Sequence, residues 1–142
     1  MKDFFNRYKR LAFIGLSGNP KSFSRGVFKF LREQGYEIYP VNPALEQVES
    51  QKCYNSIESL PASEAVLFFT NPRVTLELLP VCKAQGLEHV WFQQGAANEE
   101  VLNLARQLDL DYENSCVYLH HTKAGFPHSF HRFINRTFKI EQ

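Results

Sequence analysis

The chain has 142 residues, a net charge of +1, 44% hydrophobic residues and 22% charged ones. That length suits one domain around one core, and that balance excludes disorder and any global field drawing the chain to nucleic acid or to a membrane surface. Three widely spaced cysteines (Cys53, Cys82, Cys116), no secretory signal in the charged N-terminal turn and no bilayer-length apolar run point to reduced thiols, a cytoplasmic location, and neither nucleic acid nor membrane as partner.

Strand and helix signals alternate along the chain. A first strand is expected near Arg10 to Leu16. Its helix follows over about Ser22 to Gln34, with Phe23, Val27, Phe30 and Leu31 on one face and Gly35 as its stop. Tyr36 to Val41 reads as a second strand closed by Asn42-Pro43. Ala44 to Leu60 is a long polar connection with a short strand around Lys52 to Tyr54. The unbroken apolar run Ala65-Val66-Leu67-Phe68-Phe69 suits a parallel strand buried on both faces. Asn71 then caps a helix with Pro72 in its first turn, Leu76, Leu79 and Cys82 inside, Gly86 at its end, and a kink expected at Pro80. Glu88 to Phe92 is the next strand. Asn98 opens a helix whose Glu99 and Glu100 suit its dipole and whose Val101, Leu104, Ala105 and Leu108 face inward. Asp111 to Leu119 holds the last strand, with Cys116 at its start or middle, where a cysteine is usually a small buried hydrophobe.

This alternation predicts a single α/β domain: a doubly wound, mostly parallel Rossmann-like sheet with helices on both faces. In such sheets ligands bind outside the carboxyl ends of the strands. Those ends here are Gly15 to Lys21, Asn42-Pro43, Phe69 to Arg73, and Gln93 to Ala97, all small, polar or glycine-bearing. Within the first, a strand, a glycine turn and a helix N-terminus offer bare N–H groups to a phosphate, although Lys21 stands where a G-x-G-x-x-G motif needs its third glycine. The second strand ends in Asn42-Pro43, with no acid before Glu46 to hold ribose hydroxyls as an NAD site requires.

Taken in order, F-I-G-L-S-G-N-P, G-Y-E-I-Y-P-V-N-P, S-I-E-S-L-P, V-W-F-Q-Q-G-A-A-N-E-E and the late Cys116 resemble the small stand-alone CoA-binding domain family. That family is similar to the CoA-binding domain of the succinyl-CoA synthetase alpha subunit. The resemblance spans roughly Arg10 to Leu119. It implies a Rossmann-like fold holding CoA or an acyl-CoA by its nucleotide end. By position it implies that Gly15, Leu16, Ser17 and Gly18 line the phosphate turn and that Val41, Asn42 and Pro43 border the adenosine. Thr70, Asn71 and Pro72 would wall the next side, and Gln94, Gly95 and Ala96 would lie near the pantetheine path. The chain departs from the family pattern at Phe69 to Arg73, which replaces a charged arrangement, and at Ala44 to Gln51, which carries few glycines.

An anionic ligand also needs cations. Lys21 and Arg25, in the first helical turns, stand beside the diphosphate position, and Lys52 and Arg73 are outlying candidates. No Cys-His pair, nucleophile elbow or Walker lysine motif occurs, so a binding module without catalytic residues is expected. The alternative is an NAD(P)-binding oxidoreductase or redox sensor of similar fold. The tail from His120 to Arg136 is rich in His, aromatic and basic residues. His128 and His131 lack the companion ligands of a metal site, and no metal is expected. Phe126, Phe130, Phe133 and Ile134, with Phe4, Phe5 and Tyr8 at the other end, have two outcomes: packing on the domain, or packing on a second subunit as a homodimer.

Overall fold

The computed structural model describes residues 4–118. The sequence features of the C-terminal tail, His128 and His131 among them, lie outside the described residues.

A short helix, α1 (Phe4–Arg7), leads into strand β1 (Arg10–Ile14). Helix α2 (Phe23–Glu33) follows, capped by the Ser22 side chain, and strand β2 (Glu37–Val41) comes after Gly35, which turns the chain at φ +96°. Next come the two-residue strands β3 (Gln47–Val48) and β4 (Gln51–Lys52) and a 3-10 turn over Ile57–Ser59. Strand β5 (Ala65–Phe68), helix α3 (Pro72–Ala84), strand β6 (His89–Phe92), helix α4 (Glu99–Gln107) and strand β7 (Asp111–Asn114) complete the order. Asn71 and Asn98 cap α3 and α4, each accepting the N–H three residues on at 3.0 Å.

Five strands form one parallel sheet in the order β2-β1-β5-β6-β7. The order reverses between β1 and β5, the topological switch point of a doubly wound fold. Alternate strand residues feed two cores. Leu11, Phe13, Leu67 and Trp91 face α1 and α2; Ala12, Ile14, Val66, Phe68, Val90 and Phe92 face α3 and α4. All of these are buried, which is why β5 reads as a continuous apolar run.

Several expectations are corrected. The connection after β2 is an antiparallel hairpin, and Tyr54 rather than a longer strand rejoins the sheet. Its N–H donates to Pro40 O at 2.8 Å and its carbonyl accepts the Asn42 N–H at 2.9 Å. The last strand stops at Asn114. Ser115 N–H still reaches Phe92 O at 3.1 Å, but Val117 N–H turns to the Gln93 side chain, so Cys116 sits buried beyond the strand and not within it. Helix α3 carries Pro80 within it and runs on to Ala84 ahead of Gly86, as expected, with Pro80 on its exposed side. Phe4, Phe5 and Tyr8 are buried within their own chain: Phe4 and Phe5 pack on Trp91 at ring distances of 5.3 and 4.8 Å, and Tyr36 donates to Phe5 O at 2.6 Å. These rings are core and offer no surface to a second subunit.

Candidate functional site

At the switch point β1 ends in Gly15, whose φ is +94°. A Cβ there would lie 2.7 Å from Phe69 C and 2.8 Å from Thr70 N. Only glycine permits both that dihedral and that approach, so the loops after β1 and β5 touch backbone to backbone. Between them, the α2 N-terminus and the loop after β6 lies a cleft of about 370 Å³. Gly15, Ser17, Ser22, Phe23 and Ser24 line it from the β1 side, Phe69, Thr70 and Asn71 from β5, and Gln93 to Ala96 from β6. Phe69 stacks on Phe13 with centroids 4.4 Å apart, which anchors that wall in the core. Among the described residues no charged side chain lines the cleft.

The turn before α2 is closed by its own side chains. Ser17 N–H donates to Ser24 Oγ, Asn19 N–H to Ser17 Oγ and Lys21 N–H to Asn19 Oδ1, each at 3.0 Å, while Ser22 Oγ accepts the Arg25 N–H at 3.3 Å. Four N–H groups of the turn, those of Ser17, Asn19, Lys21 and Arg25, are thus engaged within it, and Ser17 and Ser22 are themselves part of the cleft lining. Arg25 also differs from a free cation. Its side chain is 11% exposed, Nη1 donates to Gly18 O at 3.2 Å and Ser17 O at 3.4 Å, and Nη2 pairs with Glu49 at 3.4 Å. Arg25 braces the turn. Lys21 is exposed and does not line the cleft.

Asn42 is likewise a brace. Its Nδ2 donates to Leu16 O at 2.8 Å and its Oδ1 accepts the Ala44 N–H at 2.8 Å, tying the end of β2 to the loop after β1. Beyond it opens a second hollow of about 520 Å³, lined by Pro43, Ala44, Leu45, Glu46, Lys52, Cys53, Tyr54, Asn55 and Ser59. Lys52 Nζ stands 5.1 Å from the Tyr54 ring centre. Burial pushes the Cys53 thiol up, against the bonds to the Asn42 and Tyr54 carbonyls, so it stays protonated at neutral pH. Gly18 lies between the hollows, with Leu45 3.6 Å from where its Cβ would be.

Of the residues singled out in the sequence, Gly15, Ser17, Thr70, Asn71, Gln94, Gly95 and Ala96 meet in the cleft, and Pro43 and Lys52 in the hollow. Leu16 and Val41 are buried beneath, and Pro72 begins α3 without lining either. Phe69 and Gln93 fall in strand-end segments expected to face a ligand, whereas Ser22, Phe23 and Ser24 are cleft residues expected only as the start of the helix; the Ser-x-Ser pair there was the available signal.

Among the described residues no helix is long and apolar enough to cross a membrane. A parallel sheet with a cleft at its switch point defines a Rossmann-like α/β class of domain. Within that class the chain belongs to the CoA binding domain family, whose model matches residues 9–122. It is 32% identical to the uncharacterised protein YneT of Bacillus subtilis over 111 residues, covering 75% of this chain and 80% of that one. It is 34% identical over 92 residues to the acetate–CoA ligase [ADP-forming] II subunit alpha of Pyrococcus furiosus, covering 63% of this chain but only 20% of that subunit. Among solved structures it is similar to a hypothetical protein from Pyrococcus horikoshii OT3, with 34% identity, a TM-score of 0.79, and coverage of 86% of this chain and 87% of the other.

Proposed function

We propose that the protein binds CoA or an acyl-CoA without catalysing a reaction on it. The observation that carries this reading is the cleft at the switch point, built by the Gly15 contact, together with the polar hollow beyond Asn42. An elongated ligand with a nucleotide at one end and a thin arm at the other suits two such recesses.

In this reading the diphosphate rests against the Ser17–Ser22 turn, where hydroxyl donors and the positive end of α2 favour an anion. Lys21 reaches it from solvent, and Arg25 serves by holding the turn carbonyls in place. The adenosine lies over Pro43 and Tyr54, with Lys52 toward the ribose phosphate. The pantetheine arm runs past Thr70 and Gln94 to Ala96, with Phe23 and Phe69 against its methylenes. Among the described residues the cleft lining holds no His, Cys, Asp, Glu or Lys to act as acid, base or nucleophile.

Isothermal titration with CoA, acetyl-CoA, NAD and NADP tests the proposal. Binding of CoA or acetyl-CoA, weakened by Lys21→Ala at low salt, is the expected result. Tight NAD or NADP binding with no CoA signal would replace it with an oxidoreductase or redox-sensor reading.

A further inference from the structure

Gln93 directly follows β6 and lines the cleft, with only 3% of its surface exposed. Its backbone N–H donates to Phe68 O at 3.0 Å and its carbonyl accepts the Ala96 N–H at 2.8 Å, so its main chain is fixed to the sheet edge. Its side-chain Oε1 accepts the Val117 N–H at 3.0 Å. An amide that accepts through its oxygen turns its nitrogen the other way, so this bond decides the orientation of the group. Nε2 is then a buried donor with no partner. Such donors are costly to keep, and each one calls for an explanation.

The surroundings narrow what could satisfy it. Among the described residues the lining holds no charged side chain, so a carboxylate or phosphate drawn to this depth would meet no counter-ion there. A carbonyl oxygen meets the need at no such cost. Phe23 and Phe69 supply apolar contact for the methylenes that flank a carbonyl in a flexible chain. Gln93 belongs to the cleft lining and its neighbours Gln94 and Gly95 are exposed, so a ligand in the cleft meets Nε2 if this short turn yields.

We infer that Gln93 is a specificity residue whose Nε2 donates to a carbonyl oxygen on the pantetheine end of the ligand: an amide of the arm or the acyl thioester at its tip. The inference rests on the CoA reading above and goes beyond it by naming the group that is read and the atom that reads it.

The test is calorimetry on the full chain with acetyl-CoA, its S-ethyl analogue lacking the thioester carbonyl, CoA, and adenosine 3′,5′-bisphosphate lacking the arm. Gln93→Glu keeps an acceptor for Val117 N–H and removes the donor; Gln93→Leu removes both. If an arm amide is the acceptor, both variants weaken all three arm-bearing ligands about tenfold and leave the bisphosphate unchanged. If the thioester is the acceptor, the wild type prefers acetyl-CoA over the S-ethyl analogue about tenfold and the variants lose that preference. Should either variant fail to fold, the wild-type ligand series with the other variant still decides. Affinity ratios identical in wild type and variants, whatever the change in melting temperature, reduce Gln93 to an anchor for Val117 and overturn the inference alone. A wild type that binds none of the four overturns the CoA reading with it.

Discussion

The two sides of the sheet are built from different materials. The side covered by α1 and α2 is aromatic, with Phe4, Phe5, Phe13, Phe28, Tyr36 and Trp91 in one cluster; the side covered by α3 and α4 is mainly aliphatic, with Ile14, Val66, Leu79, Val90 and Val101. The cleft takes its apolar walls from the aromatic side, since Phe23 and Phe69 both pack on that cluster. Rings have few rotamers and prefer defined edge and stacked arrangements, so they hold position where a ligand must be met; aliphatic chains fill volume. The aromatic side serves both stability and the cleft walls, while the aliphatic side is mainly stability and meets the recesses through Ala96 and Tyr54.

Truncation on each side tests that division. Trp91→Ala removes a buried ring touching both Phe4 and Phe5, and should cost about 4 kcal/mol in urea unfolding as well as weaken CoA. Leu79→Ala, fully buried on the other side, should cost about 3 kcal/mol and leave CoA affinity unchanged. An equal loss of affinity in both would erase the distinction.

Alkali probes the aliphatic side separately. Burial pushes the Cys82 thiol from 9.0 up to about 12. The unfolded chain therefore releases this proton first, so stability is constant below pH 9 and declines as pH rises from 9 toward 12. The loss should be roughly 2 kcal/mol at pH 10.5, and Cys82→Ala should flatten that part of a melting-temperature profile. Smaller still are the helix caps. Ser22→Ala and Asn98→Ala each remove a cap worth about 1 kcal/mol, but only Ser22 lines the cleft, so only its loss should also weaken CoA.

The least effect is expected at Glu64, remote from both recesses. Its carboxylate accepts the Arg10 and Lys9 N–H groups at 2.9 and 2.8 Å, which hold its pKa below the usual value of 4.5. Its contribution is present above pH 4.5 and lost as pH falls through the lowered value. A slightly shallower acid limb for Glu64→Gln in a pH melting series, with CoA binding intact, is the expected outcome.

Local signals explain what was legible beforehand. The apolar run at β5, the caps at Asn71 and Asn98 and the stops at Gly35 and Gly86 are properties of a few adjacent residues, and they were read directly from them. The hairpin at 47–52 was hidden because its turn uses Glu49 and Ser50 at φ +47° and +67°, positions where glycine or asparagine normally gives the signal. The end of β7 was overrun because the strand is polar and half-exposed, while the apolar Cys116 to Tyr118 lies beyond it, with Val117 and Tyr118 helical and Tyr118 packed against α2. The bracing bonds of Arg25 and Asn42 were not legible in the sequence, because their partners Glu49 and Leu16 are 24 and 26 residues away, a distance that no local pattern spans.

The near-collision at Gly15 limits how this binding site could be remodelled. Because the strand-end loops after β1 and β5 abut with no room for one added carbon, neither can be lengthened or swung outward to admit a bulkier cargo. The turn from Gln94 to Ala96 carries no such restriction, since a Cβ at Gly95 would meet nothing within 4 Å, although the φ of +97° there still favours glycine.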